Sequence, residues 1–191
     1  MANGIIATIR YVHENCEKWG VDAKKVVVEG ISGGGYAVAA MCGRLAVLGE
    51  SHLVKLAISN CGVTPGFFLP PIKKKLAPCV EMAFYDGPYI VKAYSTDFDK
   101  QWKEKDPVVF PHEASEEILR RWPSTIVISA EFDTYEPAVR DHFNPRLKKA
   151  GRLLESICYP GGMHGFMMNG KYERTSAYWA DMKQIFKEYV N

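Results

Sequence analysis

A chain of 191 residues with 47% hydrophobic and 24% charged side chains has the length and composition of one ordinary globular domain. Its formal net charge of +2 excludes a broadly basic nucleic-acid surface, and Lys73, Lys74 and Lys75 read as a solvated loop. No apolar run reaches the ~18 residues of a membrane span, and the apolar stretch at the start is too short for a signal peptide, so a cytoplasmic location is expected.

The first element is a helix over residues 4–19, with Ile5, Ile6, Ile9, Val12, Cys16 and Trp19 on one face and Gly20 as its stop. Residues 25–28 are a short apolar run, the pattern of a strand buried on both faces. Residues 34–48 predict a helix that is apolar nearly all round and deeply packed. Strands follow at 53–59 and 124–133, then a helix broken or kinked at Pro145 and stopped by Gly151. A fourth strand is predicted at 153–159. A C-terminal helix closes the chain, with Tyr178, Met182, Ile185, Phe186 and Val190 on one face. Strands alternating with helices predict an α/β fold with a parallel sheet and right-handed crossovers. Residues 62–122 are rich in proline and aromatics and break this rhythm. They read as a cap-like excursion within a single domain spanning 1–191. The five cysteines (Cys16, Cys42, Cys61, Cys79 and Cys158) are odd in number and lack C-x-x-C spacing. They predict buried free thiols in a reducing compartment.

Chemistry concentrates where the first strand meets the second helix. Gly30-Ile31-Ser32-Gly33-Gly34 matches G-x-S-x-G in the strand-to-helix context that motif requires. A serine on so sharp a turn projects its hydroxyl from the sheet end. Glycines beside it avoid collision with the neighbouring strand and helix. The N–H of Gly33, at the positive end of the helix, is free to stabilise an oxyanion. A phosphate-binding loop is excluded because no Gly-Lys-Ser/Thr follows. A dinucleotide fingerprint is excluded because Ser32 stands where its second glycine belongs.

A nucleophilic serine needs a base, and the base needs an orienting acid. Asp133 lies just past the third strand, and His164 lies in a glycine-rich loop past the fourth. In a parallel sheet both converge with Ser32 on one edge, in the chain order Ser, Asp, His of the nucleophile-elbow fold. Glu131 and Glu136 are rival acids; His13, His52, His112 and His142 fit less well as base. No His, Cys or Asp cluster has metal-ligand spacing, so no metal and no cofactor are expected.

At these residues the chain resembles α/β-hydrolases of the hormone-sensitive-lipase-like group, which includes arylacetamide deacetylases and short-chain acetyl esterases. The resemblance runs over almost the whole chain. It rests on "IRYVHENCEKWGVDAKKVVVEGISGGG", "STIVISAEFDTYEPAVRDHFNPRLKKAG" and "CYPGGMHGF". It implies Ser32 as nucleophile, Asp133 as acid and His164 as base, with a small-molecule ester as substrate. Three departures stand out. Ile31 occupies the position before the serine where the family usually has an acid, with Glu29 one place earlier. The acid motif reads Asp-Thr-Tyr rather than Asp-Pro-Leu. No His-Gly-Gly-Gly oxyanion segment occurs. The resemblance thus implies that the N-terminal part of the fold is lacking. It also implies that the strand bearing Val26, Val27 and Val28 has one open edge through which the chain would self-associate.

Three functions follow as expectations. The first is a serine carboxylic-ester hydrolase for short-chain or aryl esters, weakened by the missing oxyanion donors. The second is a small-molecule-binding module, as in the gibberellin receptors, which lack the histidine that this chain keeps at position 164. The third is an inactive hydrolase fragment.

Overall fold

A computed structural model describes residues 1–62, 92 and 95–191. About half of the stretch that the sequence reads as a cap-like excursion, at 63–91 and 93–94, lies outside the described residues, and so does Cys79. Helix α1 (Ala2–Trp19) leads through a short turn to strand β1 (Val27–Ile31) and helix α2 (Gly33–Leu48). Strand β2 (Leu56–Asn60), short helices α3 (Phe98–Lys103) and α4 (Glu116–Arg120), and strand β3 (Thr125–Ala130) follow. Helix α5 is continuous but mixed: α-helical over Glu136–Ala138, π-helical over Val139–Phe143 and α-helical again over Asn144–Lys149. Strand β4 (Leu153–Tyr159) and helix α6 (Glu173–Tyr189) complete the chain.

The four strands form one parallel sheet in the order β1-β2-β3-β4. Period-two alternation sends successive side chains to opposite faces. Ala57 and Val127 join a cluster with Ile6 and Ile9 of α1, Val38, Met41 and Leu45 of α2, and Phe143 and Leu147 of α5. Leu56, Ile58, Ile126 and Ile128 face the other way, onto Tyr178, Met182 and Ile185 of α6. The result is helix, sheet, helix, with β2 and β3 buried along their whole length. Burying a large apolar side chain of this kind stabilises the fold by about 1.5–3 kcal/mol.

Several boundaries differ from the sequence expectation. The first strand begins at Val27 because Asp22 accepts a hydrogen bond from Lys24 N and holds Ala23–Lys25 in a 3₁₀ turn. It is half-buried rather than buried on both faces, with Glu29 exposed, because among the described residues β1 pairs only with β2. The third strand stops at Ala130, where Asp133 N turns back to the Ala130 carbonyl. The proline at 145 breaks nothing: the π turn just before it absorbs the lost amide donor. On the predicted apolar faces, Trp19 and Phe186 are exposed. Of the described cysteines, Cys42 and Cys61 are buried free thiols, but Cys16 is half-exposed and Cys158 exposed.

Candidate active site

The elbow is built by close backbone approach. Ser32 sits at φ 57° and ψ −120°, between the end of β1 and the start of α2, and its N–H donates to the Asn60 carbonyl at 2.9 Å. A positive φ at a residue with a Cβ is strained and persists only where the surroundings impose it. Here they do. A Cβ on Gly30 would lie 2.2 Å from the Gly34 carbonyl oxygen. One on Gly35 would lie 2.6 Å from the Asn60 oxygen and 2.8 Å from the Gly62 Cα. This corrects the expectation that all flanking glycines avoid collision: at Gly33 and Gly34 an added Cβ meets nothing among the described residues. Those two open α2, whose first-turn N–H groups the helix cannot satisfy itself. Beneath the elbow, Glu29 accepts hydrogen bonds from Tyr178 Oη (2.5 Å) and Asn60 Nδ2 (2.9 Å), pinning β1 to β2 and α6.

The structure brings Ser32, His164 and Asp133 together. Ser32 Oγ lies 2.8 Å from His164 Nε2. On the other side of the ring, His164 Nδ1–H donates to Asp133 Oδ2 at 2.8 Å. Asp133 Oδ1 accepts from Tyr135 N at 3.1 Å, so both carboxylate oxygens are engaged. The Asp133 side chain is 1% exposed and that of His164 36%, so the acid is walled off and the imidazole reaches solvent. The hydrogen bond to Asp133 is the main reason the imidazole's pKa is raised, against an opposing effect of burial. Tyr135 meets the ring edge-on, with centroids 5.9 Å apart. The acid and histidine loops are tied directly by Phe132 N–H to the Gly162 carbonyl, at 2.9 Å. Gly161 and Gly165 adopt φ of 71°, which lets the loop fold tightly around His164.

The rival residues are accounted for elsewhere. Glu131 accepts from Gly161 N at 2.7 Å and so shapes the histidine loop. Glu136 is buried and pairs with Arg140 at 3.0 Å. His13 Nε2 donates to the Leu53 carbonyl, and His142 pairs with Glu113. His112 is buried near Phe110, and burial pushes its pKa down to about 3.

One residue that the sequence reading took only as a buried free thiol lies at the site. Cys61, just past β2, holds φ 46° and is 3% exposed. Its thiol interacts with the Asp133 carboxylate and the backbone of Gly165, and burial, with Asp133 second, pushes its pKa up to about 12. Ligand-capable atoms of Cys61, Asp133 and His164 lie within 4.8 Å of one another. Nothing in the spacing of positions 61, 133 and 164 announces this. The available signal was topological: Cys61 follows a parallel strand directly, as Ser32 does.

No helix among the described residues is long and apolar enough to cross a membrane. In fold, the chain is similar to esterase Est22 (20% identity, TM-score 0.76, 98% of this chain and 55% of that one). It is similar to carboxyl esterase 2 of the fungus Tuber melanosporum (20%, TM-score 0.75, 97% and 60%). It is also similar to an esterase of Pyrobaculum calidifontis (23%, TM-score 0.76, 94% and 57%). It therefore spans little more than half the length of these structures. No curated protein matches it. The profile of one family, described by its alpha/beta hydrolase fold, matches residues 2–168 and so takes in the elbow, the acid turn and the histidine loop. With that match over most of its length, a parallel sheet and a serine on a strand-to-helix elbow, the chain belongs to the alpha/beta hydrolase fold family.

Proposed function

We propose that the chain carries the site of a serine carboxylic-ester hydrolase acting on small acyl or aryl esters. The observation that carries this reading is the continuous relay from Asp133 through His164 to Ser32, with both links at 2.8 Å. Asp133 holds the proton on Nδ1, which leaves Nε2 with its lone pair toward the serine hydroxyl. His164 Nε2 takes the Ser32 proton as Oγ attacks the ester carbonyl. The tetrahedral oxyanion forms beside the Gly33 N–H at the start of α2. The imidazolium, stabilised by Asp133, then protonates the leaving alcohol. Water enters the acyl-enzyme by the same steps in reverse order. The similar folds of two esterases and a carboxyl esterase support an ester as substrate.

The sequence offers Gly33 as one oxyanion donor and contains no His-Gly-Gly segment to supply others. Loss of one such donor costs about 10²–10³ in kcat, so turnover by these 191 residues alone is expected to be slow. The test is a fluorophosphonate probe with mass-spectrometric localisation, alongside release of p-nitrophenol from short acyl esters. Adduct formation at Ser32 and slow ester turnover are expected. An unreactive Ser32 in folded protein would overturn the hydrolase reading in favour of a binding role.

A further inference from the structure

We propose that Cys61, Asp133 and His164 form a binding site for a zinc-class divalent cation, and that its occupancy switches off the serine relay. Binding stands on the geometry alone; the switch rests on the hydrolase reading above.

The donor set is a sulfur, a carboxylate oxygen and an imidazole nitrogen, a mixture that suits zinc far better than magnesium or calcium. The three donors come from three separate loops after β2, β3 and β4, and lie within 4.8 Å of one another. Of the imidazole nitrogens, Nδ1 is already 2.8 Å from Asp133 Oδ2. Tetrahedral zinc with nitrogen and oxygen ligands at about 2.0–2.1 Å spaces them by about 3.3 Å. Opening the Asp133–His164 pair by about half an ångström therefore admits the ion in place of the bridging proton. The thiol then closes from within 4.8 Å to the roughly 3.6 Å that a sulfur ligand at about 2.3 Å requires. Cys61 and Asp133 are almost wholly buried, whereas the His164 side chain is 36% exposed. The ion is proposed to enter past the partly exposed histidine, with a water as fourth ligand.

The balance of charge and protons is closed. Coordination deprotonates the thiol, so one proton leaves to solvent from Cys61. The dication with one thiolate and one carboxylate is neutral overall, which suits a buried site. The Nδ1 proton is displaced and is taken up by Nε2 of the same ring. Nε2–H now points at Ser32 Oγ as a donor. It can no longer accept the serine proton, and Asp133 is committed to the metal. The nucleophile therefore loses its base without any change at the elbow.

Cobalt(II) is the direct probe, since thiolate coordination gives a charge-transfer band in the near ultraviolet. The full 191-residue chain is titrated with cobalt, then with zinc, after removal of metal with EDTA. The expected result is a band that zinc abolishes, that is absent in Cys61→Ser, and that persists in Cys158→Ser, whose thiol is exposed on β4 and is not one of the three donors. Saturating zinc is expected to slow fluorophosphonate labelling of Ser32 by about 10²-fold, the contribution of a general base, and EDTA to restore it. Should Cys61→Ser not fold, His164→Ala serves, because its side chain is partly exposed. Its zinc affinity is expected to fall by at least the roughly tenfold that loss of even an outer-shell partner costs. A wild-type chain without the band, or a band that survives loss of Cys61 or an affinity that survives loss of His164, overturns the site. A normal band with no labelling of the metal-free protein instead overturns the hydrolase reading and leaves the cation site standing. Full labelling at saturating zinc overturns the switch.

Discussion

Replacing Gly35 by alanine tests the packing that forces Ser32 into its conformation. The new Cβ would stand 2.6 Å from the Asn60 oxygen, 2.8 Å from the Gly62 Cα and 3.0 Å from the Gly30 oxygen, where ordinary contact begins at 3.4 Å. All three are backbone atoms, so no rotamer change relieves them. Helix α2 must lift from the ends of β1 and β2 by the difference between 2.6 and 3.4 Å, about 0.8 Å. Overpacking of this kind costs about 1–3 kcal/mol, against at most about 1 kcal/mol gained from alanine's helix propensity. Gly33→Ala, two residues earlier, is the control: its Cβ meets nothing among the described residues, and the same propensity gain applies without a clash. Urea unfolding followed by circular dichroism should therefore place Gly35→Ala below wild type by about 1–2 kcal/mol and Gly33→Ala at or above it. The helix carries Ser32 with it, and a misplacement approaching 1 Å costs about 10²-fold in rate. Gly35→Ala should thus lose ester turnover as well as stability, while Gly33→Ala, which keeps its N–H, loses neither. Equal midpoints for the two variants, or a worse result for Gly33→Ala, would refute the claim that backbone contact with Asn60 and Gly62 sets the elbow.

Ser32→Ala and His164→Ala should each abolish p-nitrophenyl ester hydrolysis, and Asp133→Asn should approach them; a variant that kept most of its kcat would show that the relay is not the machinery. The kcat/KM profile should have its acid limb above the ordinary imidazole value of about 6.5, because His164 must be neutral to act as base and its pKa is raised by Asp133. Asp133→Asn should move that limb down, and an unmoved limb would assign it to another group. The same shift makes a stability statement: the His164 contribution is complete below about pH 6.5 and is lost as pH rises through the folded value, so the Asp133→Asn penalty in Tm should be largest on the acid side. Among the described residues β1 pairs only with β2, and an edge left unpaired in the whole chain would be a template for a second chain; light scattering should show concentration-dependent association at micromolar protein, and a cooperative monomer would mean that the edge is covered.

Much of this arrangement was written locally. Leu153–Tyr159 emerges as a strand at its expected limits because it is bounded by Gly151 before it and a Pro-Gly-Gly turn after it. The elbow was legible because strand, glycine-rich turn and apolar helix fall within a dozen residues of one another, so a local pattern carries the tertiary meaning. What was missed depends on contacts between distant segments. The role of Gly35 comes from Gly62, across two strands, and its neighbours in the motif gave no hint that they themselves are open. The π turn at Val139–Phe143 reflects how Pro145 is accommodated in a packed helix, which a period-3.6 pattern does not encode. Cys61 looked like any small apolar residue at a strand end. Its meaning lies in the Asp133 carboxylate and the Gly165 backbone brought to it by two other strands.

The topology itself explains why these groups meet. Parallel pairing aligns Ile31 with Asn60 and Ala130 with Tyr159, so all four strands finish at one edge. The residues that leave that edge are Ser32 after β1, Cys61 after β2, Asp133 after β3 and His164 after β4. A hydroxyl, a thiol, a carboxylate and an imidazole thus come from four successive loops, each anchored by a strand end rather than by a helix face. His164 lies between the other groups, with Nε2 toward Ser32 and Nδ1 toward Asp133. In the proposed relay a proton on Nδ1 makes Nε2 a base for the serine; in the proposed metal-bound state a cation on Nδ1 would make Nε2 a donor. The two proposed states would compete for one atom, and through it the Cys61 thiol would bear on the proposed chemistry of Ser32.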